Sequence, residues 1–163
     1  MKRDADQASA LESHKGFQWI YVATLIVMAF TGFGQMPIFK RYYISDIPGM
    51  GWSADFYLTH YIHYLGGILL LGLIAYAVAD FLFLGRQTKR LKASAYVRIL
   101  LLAGIVLTGI LRVMKNLPDV TFSPTFTLVI DISHLGFVMA YILAALLFAI
   151  SRSTWTESWA EGQ

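Results

Sequence analysis

Residues 58–77 read LTHYIHYLGGILLLGLIAYA, a stretch in which two histidines, His60 and His63, precede an almost uninterrupted apolar run. A run of this length and composition can cross a bilayer as a helix, which takes about 20 residues. Hydrophobic residues make up 57% of the chain, its mean hydropathy is +0.59, and only 14% of its residues are charged. The sequence therefore predicts an integral membrane protein.

Four apolar stretches are long enough to span a membrane, and they cover residues 17–39, 56–84, 95–114 and 125–150. A short polar N-terminal tail, residues 1–15, precedes the first stretch and contains no cleavage signal, so this stretch is expected to be a retained helix. The predicted fold is an all-α, four-helix membrane bundle that forms a single domain.

The basic residues are distributed unevenly between the two ends of these spans. Nine of the 13 fall at one end and four at the other: Lys2, Arg3, Lys15, Arg86, Lys89, Arg90, Lys92, Arg98 and Arg152 against Lys40, Arg41, Arg112 and Lys115. Because cytoplasmic loops carry the excess of Lys and Arg, both termini are predicted to be cytoplasmic, with loops 36–55 and 113–124 outside. The basic turn near residue 90 is interpreted as this topology signal, in preference to a phosphate or lipid site.

Two serines look like helix N-caps and allow the depths of two histidines to be compared. Ser53 precedes the second span, and Ser123 precedes Pro124 and the fourth span. His63 lies ten residues, or about 15 Å, past the first cap, and His134 lies eleven residues, or about 16 Å, past the second. The two histidines are therefore predicted to be level in the membrane.

Two histidines on facing helices are a suitable pair of axial ligands for a haem iron. His63 is followed by Gly66 and Gly67, and His134 by Gly136, whose missing side chains would leave room for a flat macrocycle. The alternative is that the histidines only hydrogen-bond across helices. Ligation of a haem by His63 and His134 is the favoured hypothesis.

Three further polar residues lie near this predicted haem. His60 is one turn from His63 and is an alternative ligand to it. If it is not a ligand, it either contacts a haem propionate, takes part in proton transfer, or is a plain polar side chain at the membrane interface. Asp131 needs a partner at its depth: it accepts a proton from an imidazole or a quinol, or it pairs with Arg112 or Lys115. Arg112 is also included among the cofactor-binding candidates.

The order of motifs over residues 14–150 resembles a known family. HKGFQWIYVATLIVMAFTGF, LTHYIHYLGG, LLLAGIVLTGI and DISHLGFVMAYILAALL are similar to stretches in the cytochrome b subunits of membrane-bound formate dehydrogenases and the b-type cytochromes of nickel–iron hydrogenases. The resemblance implies a quinone-linked subunit that anchors an iron–sulfur subunit and a periplasmic catalytic subunit of molybdenum, tungsten or nickel–iron type. It also implies an outer haem b held by residues that match His63 and His134.

The chain departs from this family at the cytoplasmic end. The resemblance places the ligands of an inner haem where this sequence has Gln18, directly before Trp19, and approximately Phe148. Neither side chain replaces an imidazole, and His14, one turn from Gln18, has no second histidine to pair with. One haem per chain is therefore favoured over two.

Thr31-Gly32 and Thr108-Gly109 occupy the places of a similar Ser/Thr-Gly pair in that family. Close helix packing by small residues is the preferred interpretation, ahead of direct contact with a haem.

The sequence predicts an electron-transfer subunit of a respiratory complex in the cytoplasmic (inner) membrane, with lipid and quinone as partners and no nucleic acid. It has no cysteine for an iron–sulfur cluster and no glycine-rich nucleotide loop, so a substrate-converting site is expected in a partner subunit. His14, Gln18 and Asp80 are candidates for a menaquinone or ubiquinone site, with Arg86 as an alternative partner of Asp80. A haem-free anchor or transport-associated subunit, and a free-standing b-type cytochrome, are the alternative functions.

Overall fold

The structure, a computed structural model, describes residues 2–36 and 38–158, with side chains from Lys15 onward. It is 78% helical, and its helices are α1 (Lys2–Gly34), α2 (Ile38–Arg41), α3 (Phe56–Phe83), α4 (Ala93–Met114) and α5 (Pro124–Ile150). Three 3₁₀ turns cover Ile44–Asp46, Gly51–Ala54 and Gly85–Gln87, and the two strands are β1 (Lys89–Leu91) and β2 (Thr156–Ser158). Stretches of α1, α3, α4 and α5 are long and apolar enough to cross a membrane. The predicted all-α fold with four spans is confirmed.

The predicted ends of the last three spans agree with α3, α4 and α5 to within two residues. The first span is different, because α1 ends at Gly34 rather than at residue 39 and a separate short helix, α2, follows. The Met36 N–H bonds to the Phe33 carbonyl three residues back, which tightens the end of α1. At its other end α1 begins at Lys2, so the helical backbone continues through the residues of the polar tail.

One predicted N-cap is confirmed and the other is wrong. The Ser123 hydroxyl accepts the Phe126 N–H at 3.2 Å, with Pro124 at the first helical position. Ser53 instead lies buried inside a 3₁₀ turn, and the Asp55 carboxylate caps α3 by accepting the Leu58 N–H at 3.0 Å. His63 is therefore eight residues, or about 12 Å, past its cap, compared with eleven residues, or about 16 Å, for His134.

The chain divides into two compact units, Met1–Ala79 and Asp80–Gln163. In the first unit, α1 and α3 run antiparallel, because residues later in α1 contact residues earlier in α3. The Phe17 and Tyr76 rings lie 5.4 Å apart, a Cβ on Gly66 would meet Met28, and a Cβ on Gly34 would lie 3.0 Å from Thr59.

In the second unit, α4 and α5 form an antiparallel hairpin whose helices approach closely at Gly104. A Cβ there would lie 2.7 Å from the Phe137 ring, so only glycine permits this approach. β1 pairs antiparallel with β2, which joins the basic turn before α4 to the segment after α5. These three-residue strands are too short to be recognised from the sequence.

The distribution of exposed and buried residue types is the one expected for a membrane protein. Large apolar side chains cover the outer faces of the helices, among them Ile26, Ile68, Leu100 and Leu143, each more than half exposed. Covered positions include an unusual share of polar residues: Thr24, Thr31, Thr59, Ser94, Arg98, Thr108 and His134. The chain is therefore a multi-pass membrane protein whose exterior suits lipid and whose interior holds the polar groups.

Candidate functional site

In the first unit, His63 on α3 is held by a threonine of α1. The Thr31 Oγ1 lies 3.0 Å from the His63 Nδ1, and Thr31 is fully covered by protein. The same oxygen lies 2.7 Å from the Val27 carbonyl oxygen one turn earlier in α1. Thr31 thus links the backbone of its own helix to the imidazole on the next span.

The second unit repeats this arrangement with α4 and α5. The Thr108 Oγ1 lies 2.9 Å from the His134 Nδ1 and 2.7 Å from the Gly104 carbonyl oxygen. His134 is only 8% exposed, and it is the single histidine of α5. Both histidines that the sequence predicts as haem ligands are therefore paired with a threonine through the same ring nitrogen.

The position of the threonine proton determines which imidazole nitrogen carries the lone pair. A carbonyl oxygen can only accept, so an approach of 2.7 Å requires each threonine hydroxyl to donate its one proton to the backbone. Which atom donates in each Oγ1–Nδ1 contact depends on which imidazole nitrogen carries the proton. When Nδ1 carries the proton of a neutral imidazole, the lone pair lies on Nε2, which is a nitrogen that can bind a metal.

The glycine that follows each threonine lies against the edge of the same imidazole. A Cβ on Gly32 would lie 3.2 Å from the His63 Cε1, and a Cβ on Gly109 would lie 3.5 Å from the His134 Cε1. The predicted close packing at the two Thr-Gly pairs is thus observed, and the groups that they pack against are the two histidines.

His60, the alternative ligand on α3, has different neighbours. Its Nδ1 lies 3.1 Å from the Gln35 Oε1 on the chain just after α1. Its ring stacks on Phe56, with centroids 5.4 Å apart, and packs against Tyr64 at 4.3 Å. His60 is therefore held between two aromatic rings of its own helix, and its role as a ligand or a propionate contact stays a prediction.

Asp131, one turn before His134, pairs with both of the cations that the sequence offered as its partners. Lys115 Nζ donates to the two carboxylate oxygens at 2.9 Å each, and the Arg112 Nε lies 3.1 Å from Oδ1. The predicted pairing is confirmed, whereas a role of Asp131 in proton transfer stays a prediction. The cluster holds one anion against two cations, which leaves positive charge at this end of the hairpin.

The space beside Gly66, which the sequence predicted to be open for a macrocycle, is occupied by Met28. A Cβ on Gly66 would lie 2.6 Å from the Met28 Sδ, and one on Gly67 would lie 3.9 Å from the Met28 Cε. The flexible end of the Met28 side chain, on α1, therefore packs against both glycines. Haem contact by Gly66 and Gly67 stays a prediction, and it requires Met28 to adopt another rotamer.

The candidates for a quinone site lie at the other end of the spans. Gln18 is exposed on α1, Asp80 is half-buried on α3, and His14 lies outside the described side chains. A role in quinone binding stays a prediction for all three.

Sequence reasoning missed a buried arginine near the start of α4. Arg98 is 6% exposed, its Nη2 donates to the Ser153 carbonyl at 2.8 Å, and its guanidinium lies over the rings of Phe148 (4.7 Å) and Trp155 (4.9 Å). Phe148 thus packs against a cation at the position where the resemblance implies a haem ligand. The sequence signal that could have revealed this cluster is a charged residue five positions inside an apolar span.

Among the described side chains, no group of three or more His, Cys, Asp or Glu is arranged to hold a metal ion. Compared with protein-family models, curated proteins and solved structures, the chain matches none of them.

Proposed function

We propose that this chain is the membrane-anchoring b-type cytochrome subunit of a respiratory oxidoreductase, in which His63 and His134 would hold one haem b. The observation that carries the proposal is the repeated contact between a threonine hydroxyl and a histidine Nδ1. It holds both imidazoles within apolar helices, where a histidine is costly unless it serves a function.

The residues fit a low-spin haem. When bound, haem b would supply a reversible one-electron couple. The chain would contribute two imidazoles, from His63 and His134, and the apolar side chains around them. A fixed hydrogen bond to each Nδ1 also orients the rings before the iron arrives.

A single haem per chain is supported by the residues at the cytoplasmic end. Gln18 is exposed and Phe148 packs against Arg98, so neither position offers an imidazole. Half the membrane thickness, ~15 Å, would separate a quinone at the cytoplasmic end from a haem in the outer half. We therefore propose either quinone binding close to the haem or a cofactor in another subunit.

The proposed partners are those that the resemblance to formate dehydrogenase and hydrogenase cytochromes implies. They are an iron–sulfur subunit at the outer face and a catalytic subunit of molybdenum, tungsten or nickel–iron type behind it. Menaquinone or ubiquinone is the proposed second electron partner. The proposed location is the inner membrane, with both termini cytoplasmic, which the distribution of Lys and Arg supports.

Haem content tests the central claim. The full chain, expressed with excess haem precursor and purified in detergent, should give one haem b per chain in a pyridine haemochrome assay and the spectrum of a six-coordinate low-spin cytochrome. Variants His60→Ala and His14→Ala serve as controls and should retain this haem. A colourless protein would instead favour the haem-free anchor, and two haems per chain would contradict the single site.

Cysteine labelling tests the orientation, since the wild-type chain has no cysteine to interfere. Thr88→Cys lies in the basic turn and Thr121→Cys lies in a predicted outer loop, and both positions are exposed. An impermeant maleimide added to intact cells should label residue 121 and not residue 88. The reverse pattern would overturn the proposed orientation.

A further inference from the structure

We propose that Thr31 and Thr108 are positioning residues that hold His63 and His134 as Nδ1–H tautomers and so present Nε2 to the iron. The part of this inference that concerns iron rests on the proposed function. The part that concerns the tautomer does not, because it follows from hydrogen bonds within each unit.

Each threonine hydroxyl has one proton, and it donates this proton to a backbone carbonyl rather than to the imidazole. Each one donates to a carbonyl oxygen four residues earlier at 2.7 Å, where two oxygens without a shared proton would repel each other. Each therefore accepts from Nδ1–H, at 3.0 Å from His63 and at 2.9 Å from His134. The opposite tautomer would set two lone pairs against each other at that distance.

Thr24 shows that the backbone bond alone does not require a histidine. It lies two turns before Thr31 on α1, is equally covered, and donates to the Ile20 carbonyl at 2.7 Å. A threonine in these helices is thus satisfied by its own backbone. The contacts of Thr31 and Thr108 with an imidazole are therefore additional to the backbone bond. Among the described residues, each unit has such a contact between a threonine Oγ1 and a histidine Nδ1.

The consequence for a bound haem is electronic as well as geometric. A hydrogen bond accepted from Nδ1–H increases the basicity of Nε2, which favours the ferric over the ferrous iron. Replacing threonine by the isosteric valine removes the acceptor but keeps the volume. The imidazole then loses this acceptor at Nδ1, and the ferric state loses part of its stabilisation.

Nitrogen NMR tests the tautomer in the haem-free protein. The full chain, labelled with ¹⁵N-histidine in lipid nanodiscs and assigned with single histidine variants, should show His63 and His134 protonated at Nδ1. Thr31→Val should shift the His63 resonances and leave those of His134 in place, and Thr108→Val should do the converse. Thr31→Ser and Thr108→Ser should restore the wild-type shifts, whereas Thr24→Val should change neither histidine. Wild-type shifts typical of an Nε2–H ring at both positions would overturn the inference.

Redox potentiometry and electron paramagnetic resonance test the effect on the haem. Thr31→Val and Thr108→Val should move the midpoint potential in the positive direction, alter the ferric g values and weaken haem retention by about tenfold. The serine variants and Thr24→Val should match the wild type. Unchanged potentials in both valine variants would refute the positioning role. If the wild type binds no haem, the proposed function fails, while the NMR result still decides the tautomer.

Discussion

His63 in the first unit and His134 in the second are held by the same contact, Nδ1 against a threonine oxygen at 3.0 and 2.9 Å, yet the polar groups near them differ. One turn from His63 lies the contact between His60 and Gln35. One turn from His134 lies Asp131 with its two cations. The same threonine contact therefore forms beside an amide and beside an ion cluster, which indicates that it depends on the helix pair rather than on the neighbouring polar groups.

The same comparison separates what is duplicated from what is specific to one unit. The duplicated part consists of Thr-Gly on one helix and His on the next, and it serves the proposed ligation. The specific part differs in consequence: α3 offers a second imidazole one turn away, whereas α5 offers an ion cluster. Four changes test whether the two units behave accordingly.

The largest expected effect is loss of the haem. His134→Ala should abolish it, because α5 carries no other histidine, whereas His63→Ala should retain part of it through His60. Combining His63→Ala with His60→Ala should remove the remainder. Haem per chain, measured as pyridine haemochrome after purification, reports each result. Haem retained by His134→Ala would show that the two histidines are not a ligand pair.

The second change removes the charge on Asp131 in the ion cluster. Asp131→Asn leaves Arg112 and Lys115 without their anion, and it should lower the free energy of unfolding by about 2 kcal/mol. This is less than for a fully buried pair, because the carboxylate is 38% exposed and solvent screens both ion pairs. Thermal unfolding in detergent measures the loss. Asp119→Asn is the matched control, since Asp119 is exposed in a loop and its left-handed conformation suits asparagine.

An unchanged unfolding temperature in the Asp131→Asn variant would mean that lipid headgroups or water already satisfy the two cations.

The corresponding polar pair of the first unit gives a second comparison. Gln35→Met removes only a neutral contact to His60 and should cost less than Asp131→Asn.

The sequence predicted those features that depend on composition and local chemistry. The length and hydropathy of the apolar stretches were sufficient to predict the four spans. Ser123 and Pro124 correctly predicted the start of α5. Ser53 and Asp55 are both good caps two residues apart, and the choice between them depends on the 3₁₀ turn that buries Ser53. Local preference alone could not decide between these two residues.

The contacts between helices could not be predicted, because they depend on the rotation of each helix about its axis. Thr31 and His63 are 32 residues apart, and Thr108 and His134 are 26 apart, so no sequence period connects them. The signal that could have indicated them is the repeated order of an apolar helix with Thr-Gly followed by an apolar helix with histidine. Met28 beside Gly66 and Arg98 beside Phe148 were likewise outside what periodicity can indicate.

The third change compares the close contacts of the two units. Gly104→Ala places a Cβ 2.7 Å from the rigid Phe137 ring, whereas Gly66→Ala places one 2.6 Å from the Met28 sulfur, at the flexible end of its side chain. Gly104→Ala should therefore destabilise the protein by about 2 kcal/mol and Gly66→Ala by well under about 1 kcal/mol. Thermal unfolding compares the two variants directly. Equal losses would indicate that Met28 is as constrained as the aromatic ring.

The smallest expected effect concerns the glycines beside the histidines. A Cβ at residue 32 would lie 3.2 Å from the His63 Cε1, a distance that requires the ring to move by a few tenths of an ångström, whereas the 3.5 Å at residue 109 is an ordinary contact. Gly32→Ala should therefore perturb the ferric g values of a bound haem, and Gly109→Ala should leave them unchanged. Stability should change by less than about 1 kcal/mol in both, because alanine favours the helix and offsets mild crowding. A larger spectral change in Gly109→Ala would mean that the imidazole of the second unit, despite its greater burial, is the more easily displaced of the two.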